Sequence, residues 1–485
     1  MDKHLRKLEE VEGRLEELGA ALENDAFVQY YQHADVDMAG HEKKIRAALL
    51  DRGVAAACDA IREADVEPTV RRRAEIVSHL VTEARAATDE IIELKEEVTR
   101  IVITTPGHLD GADLPRHRRT EILFKDDDRE KRRRAFFAEG KLREELQDKG
   151  RRLLRLRNDA ARNLGFESYP ALALAAEDLT VPELTAIFDR YDRETTPAYE
   201  QLVTEARARF GLGRVEAWDL NYVGQKIFSA PDHYFPRDRG VETLAGVVRG
   251  FGRELDELGI PIYADADIPY AGLCFAVRVP DDIRILLNLK DGMAECSVLY
   301  HEFGHAAHRK FCRVAPYSLK VGDAGFFAEA MADVWGCLIF RPAWLRKYAM
   351  MPEDEIEAVR AGAEMEYASR IRRFMAHQLY EIDAYLDPDG DLDASLDRHT
   401  ERFLGHRYDD AGMWAQNYFP FLYPMYSKNY MLARVIQRLV HRYLEGQVGE
   451  LLDTPRTLEL LIDHFYADGA TTPWKAKLSA IGAAL

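Results

Sequence analysis

The chain has little cysteine: five residues in 485, at positions 58, 274, 296, 312 and 337, with no CxxC pair. An odd number at wide, irregular gaps excludes a disulfide framework and a thiolate zinc site, and fits reduced, buried thiols. Long apolar runs are also missing, because Arg, Lys, Asp or Glu recurs every few residues, so no segment is expected to enter or cross a membrane. The first residues, MDKHLRKLEEVEGRLEELG, alternate charge sign and lack the apolar stretch and cleavage site of an export signal, so a cytoplasmic protein is expected. There is no excess of positive charge either. A formal charge of −18 repels phosphate backbones and argues against nucleic acid as a partner. The short basic runs at 71–73 and 131–134 lie in strongly charged helical sequence, as solvated helix faces do.

Apolar residues at 47% and charged residues at 31% supply a large core, and the length suggests more than one domain. Leu5, Leu8, Leu15, Leu18 and Leu22 recur at the period of one helical face. A second helical pattern covers 69–102 and stops before Pro106 and Gly107, which places a domain boundary there: 1–105, an N-terminal helical region, and 106–485, the remainder. Helical spacing continues over 128–164, with Gly165 as a stop, and from Pro182 to Phe210. One segment breaks the pattern. Residues 273–279 and 283–289 are rich in Val, Ile, Leu and Phe around Pro280, Asp281 and Asp282, which predicts strand, turn, strand. Helices then resume, so the fold class is mainly α with a small sheet. No fixed-period repeat occurs. The acidic stretch at 387–393 lacks the glycine and glutamate positions of a calcium loop and is read as a surface turn.

Chemistry concentrates just after the strands. His301-Glu302-Phe303-Gly304-His305 lies in a segment, 293–311, that reads as helical. Four residues are just over one turn, so both imidazoles project from one face toward a common ion, and Glu302 can reach a water beside it. A zinc hydrolase needs a third ligand and an open position. Glu329 supplies the ligand at the start of the next helical pattern. Asp333, four residues on, suits the carboxylate that orients a ligating imidazole. Both acids stand among Phe326, Phe327, Met331, Val334 and Trp335, and unpaired acids are seldom buried, which a dication would resolve. His308 falls near the same face but reads as a core histidine, since a fourth protein ligand would close the site.

At these residues the sequence resembles the thimet oligopeptidase and oligoendopeptidase F family of zinc metallopeptidases, related to the angiotensin-converting enzyme family. HEFGHAAH at 301–308 and GFFAEAMADVWG at 325–336 look like its zinc site. YPMYSKNYMLARVIQ at 423–437 is similar to its tyrosine-rich helix, and 154–174 is a weaker match. The resemblance implies a two-lobed helical spindle with a deep channel, the sheet beside the zinc helix, and 1–105 acting as a lid over a catalytic region at 106–485. It implies one zinc ion and oligopeptide substrates. It places Tyr430 where the family has a hydroxyl donor to the oxyanion, and Tyr426 where it has another active-site tyrosine. The family's histidine a few residues before these tyrosines is absent, and His406 is the nearest upstream candidate. From the residues alone, Tyr423, Tyr426 and Tyr430 fit an aromatic core stripe as well. A carboxypeptidase or dipeptidyl carboxypeptidase of the same fold, or a catalytically silent peptide-binding protein, are the alternatives.

Overall fold

A computed structural model describes residues 1–228 and 230–485. Most of these are helical. The strands among the described residues are a hairpin, β1 (Gly107–Leu109) with β2 (Ala112–Leu114), and a sheet of β3 (Ile262–Tyr263), β4 (Gly272–Arg278) and β5 (Asp282–Leu287). Among the described residues, no helix is long and apolar enough to cross a membrane. The chain forms two compact units: 1–84, 230–360 and 432–485 make one, and 85–229 with 361–431 the other. The boundary expected at 105/106 therefore falls inside the second unit. The helical pattern over 69–102 is two helices, Pro68–Ala86 and Asp89–Thr104, because the Thr88 side chain accepts from the Ile91 N–H and starts a new helix.

In the first unit, the helix Asp2–Gln32 buries Leu8, Val11 and Leu15 against the helices Met38–Leu49, Val54–Glu63 and Pro68–Ala86. Its second half lies on the sheet, where Phe27 meets Phe275 edge to face at 5.7 Å and Ala20 joins Val277 and Leu286. The strand order is β3-β5-β4; β4 runs antiparallel to β5, and β3 parallel to it. Successive strand side chains point to opposite faces, so Leu273, Phe275 and Val277 face the long helix. Gly272, Cys274 and Ala276 take the other face, toward the helix Met293–Lys310. The expected strand pair is thus present. The two-residue β3, preceded by Pro261, is too short for a periodicity signal.

The second unit packs Asp89–Thr104, Gly140–Asn163 and the later part of Glu353–Leu386 around Leu94, Val98, Leu146, Leu153, Tyr385 and Trp414. The buried Arg157 is matched by three acceptors, the carbonyls of Pro420 (3.1 Å) and Phe421 (2.6 Å) and the Tyr385 hydroxyl (3.2 Å). A cation in such a core persists only when its donors are used.

Candidate metal centre

The motif helix, Met293–Lys310, packs closely on the helix Gly325–Gly336. Gly304 makes that possible. A Cβ there would stand 2.6 Å from the Ala332 carbonyl oxygen and 2.7 Å from its Cα, so only glycine admits the approach. The second helix ends on a buried acceptor arrangement: His441 Nε2 donates to the Val334 carbonyl at 2.8 Å and Nδ1 accepts from Gln437 at 2.9 Å. That carbonyl is one the helix cannot satisfy itself. Burial pulls the His441 imidazolium down to about 3, so it stays neutral with the tautomer this pairing needs.

On this scaffold His301, His305 and Glu329 bring one ligand atom each to within 4.8 Å of one another. Glu329 Oε2 lies 3.4 Å from His301 Nε2 and 3.9 Å from His305 Nε2, and the two rings stand perpendicular. Tetrahedral zinc with bonds near 2.1 Å separates its ligands by about 3.4 Å, so this N, N, O set fits with small side-chain adjustment. His301 Nδ1 donates to Asp333 Oδ1 at 2.9 Å, which leaves Nε2 turned to Glu329. Burial alone would lower the His301 pKa, but the Asp333 and Glu329 carboxylates hold it up at about 10. His305 is pulled down to about 3 by burial and by the charge on His301. One site thus gathers a cationic and a neutral imidazole around acids, the electrostatics a dication would satisfy.

Glu302 is 9% exposed, and burial pushes its carboxyl up to about 7, with Glu329 adding and His301 opposing. A carboxylate with a pKa near neutrality is suited to take and return a proton. Its position depends on β4. A Cβ on Gly272 would meet Glu302 Cγ at 2.6 Å, Leu287 Cδ2 at 2.9 Å and Val298 Cγ1 at 2.9 Å. Neither this glycine nor Gly304 is marked by periodicity, because their requirement arises between elements. His308 is buried with its Nε2 3.4 Å from Asp323, as a core histidine.

The tyrosine segment belongs to the second unit. Its helix is Ser427–Val448, so only Tyr430 of the three tyrosines is on it; Pro424 and Met425, with φ at 57°, end the preceding turn. Gln378 accepts from the Lys428 N–H (2.9 Å) and Glu381 from the Met425 N–H (2.6 Å), which fixes the entry to the helix. Tyr426 and Tyr430 are half-buried with rings 5.4 Å apart, Phe374 packs on Tyr430, and Tyr423 is 49% exposed. His406 is fully buried against Tyr408.

The fold and this arrangement together define a mainly helical protein of a peptidase-type fold with a candidate His-His-Glu metal centre. The whole chain superposes on a solved structure of PZ peptidase A with an inhibitor, with a TM-score of 0.67 over 98% of this chain and 93% of that one, at 15% identity. In sequence, 110 residues are 31% identical to oligopeptidase A of Escherichia coli (strain K12) and, equally, of Salmonella typhimurium (strain LT2). That stretch covers 20% of this chain and 16% of the length of those relatives. No family model matches the chain.

Proposed function

We propose that the protein is a zinc-dependent peptidase acting on short, unstructured oligopeptides. The observation that carries the reading is the convergence of His301, His305 and Glu329, with Asp333 bonded to His301 and Glu302 beside them. The match to oligopeptidase A and the fold shared with PZ peptidase A support it. His301, His305 and Glu329 would hold one zinc ion, which supplies a Lewis acid that acidifies water and polarises a peptide carbonyl. Asp333 fixes the tautomer and orientation of His301. Glu302 takes a proton from the attacking water and delivers it to the leaving amine, a two-way transfer that its near-neutral pKa favours. The sequence resemblance assigns the hydroxyl that donates to the developing oxyanion to Tyr430, with Tyr426 as a further active-site tyrosine. Residues 106–485 are assigned the catalytic residues, and 1–105 the restriction of substrates to short peptides. Cytoplasmic location belongs to the same reading.

The test is mass spectrometry of products from a mixed peptide library, with and without a zinc chelator, using the native chain and Glu302→Gln. Chelator-sensitive cleavage that Glu302→Gln reduces about 10²- to 10⁴-fold is expected. Internal cuts, C-terminal dipeptides or single C-terminal residues separate an oligopeptidase from a dipeptidyl carboxypeptidase and a carboxypeptidase. Cleavage that persists in the chelator, or undiminished in the variant, overturns the assignment.

A further inference from the structure

β4 is an edge strand, and its pairing decides which of its peptide groups are used. Asn288 N–H bonds to the Ala271 carbonyl, and in an antiparallel ladder alternate residues exchange bonds, so 271, 273 and 275 point to β5. Gly272, Cys274 and Ala276 therefore direct N–H and C=O outward, along the edge that has no strand neighbour among the described residues. Gly272 is the end of this edge that touches Glu302. At the other end, the Glu23 carboxylate, from the helix Asp2–Gln32, is within hydrogen-bonding reach of the Ala276 N–H. Cys274 lies between, near both carboxylates. An extended peptide added to this edge would gain backbone bonds at Gly272 and Cys274, and would meet an acid where Ala276 should pair.

Glu23 is half-buried and has no cation within ion-pair distance among the described residues. The nearby Arg309 is engaged elsewhere, donating to the Lys320 carbonyl at 2.5 Å and lying 3.8 Å from Asp323. One Glu23 oxygen faces the Ala276 N–H and the carboxyl keeps further acceptor capacity, while burial raises its pKa, a cost that a cation placed here would relieve. Such a group repels a peptide's carboxylate end and accepts its α-ammonium.

We propose that Glu23 closes the β4 edge as a receptor for the free α-amino group of the substrate. This rests on the peptidase reading and narrows its substrate class to peptides with an unblocked amino end. The peptide lies antiparallel to β4, with its amino end at Ala276 and the bond to be cut near Gly272. Gly272 to Ala276 spans about 13 Å at the rise of a strand, so the amino-terminal fragment released is about two to four residues long.

The experiment compares peptides of one sequence with a free or an acetylated amino end, on the zinc-supplemented full chain. Acetylation is expected to lower kcat/KM about tenfold, chiefly through KM, and Glu23→Gln to bring the ratio between the two forms close to one. Cleavage of both forms by the native chain at equal kcat/KM overturns amine recognition and leaves the peptidase reading intact. Cleavage of neither overturns the peptidase reading instead. Binding of the same two peptides to zinc-supplemented Glu302→Gln, by calorimetry, then decides amine recognition alone: about tenfold preference for the free amine supports it, and equal affinity overturns it. The native-chain comparison needs no Glu23 variant, so misfolding of that variant cannot mask the result.

Discussion

The motif helix with its partner Gly325–Gly336, and the tyrosine segment at 423–430, carry similar densities of functional-looking residues, yet they are built differently. In the first, acids and imidazoles are drawn into a tightly packed region, with His301 bonded to Asp333, and the backbones approach through Gly304. In the second, aromatic rings gather around Phe374 and Phe419, and the helix entry is pinned by Gln378 and Glu381. Buried charge demands an explanation, because it is costly without a partner. Clustered aromatic rings demand none, since packing alone produces them.

The comparison can be broken most forcefully at Gly304. Gly304→Ala drives a methyl group into the Ala332 backbone, so the helices must part; we expect at least a tenfold loss of zinc affinity, measured by competition with a chromogenic chelator, and a matching loss of activity. Tyr430→Phe removes one hydroxyl and leaves the ring. If Tyr430 serves the oxyanion, kcat falls about 10²-fold with zinc affinity unchanged; if the ring only packs, kcat stays within twofold. Gly272→Ala presses on Glu302 without touching the candidate metal ligands, so kcat should fall about tenfold in steady-state assays while zinc content stays the same.

The smallest effect is on acid stability. His441 has its folded-state pKa lowered to about 3, so between pH 6.5 and 3 the unfolded chain binds a proton that the folded chain refuses. Stability contributed by this residue is complete above about pH 6.5 and declines as pH falls toward 3. Melting temperatures across pH 5–7.5 should drop on acidification, and His441→Gln should flatten part of that slope. An unchanged slope would mean that the cap on Val334 does not depend on a neutral imidazole.

Much of this was legible in the sequence because it follows helical spacing. His301, Glu302 and His305 fall within one turn, Glu329 and Asp333 within another, and the apolar neighbours of those acids marked the burial conflict. The strands at 273–289 were visible through β-branched residues around Pro280. What escaped has a tertiary origin. Gly272 and Gly304 matter only where one element meets another, and Glu23 looks like any acid of a charge-rich helix until the edge of β4 is seen beside it. The resemblance puts Tyr423 and Tyr426 on one helix with Tyr430, but Pro424 and the left-handed Met425 interrupt that register. The unbroken pattern over 69–102 concealed the cap at Thr88, where one helix gives way to the next.

Metal content of the purified chain, measured by plasma mass spectrometry after dialysis against trace zinc, tests the central claim most directly. The account predicts about one zinc per chain in the native protein and in Glu302→Gln, and loss of that zinc in Glu329→Ala. A native chain without zinc, or a Glu329→Ala variant that keeps a full equivalent, would contradict it.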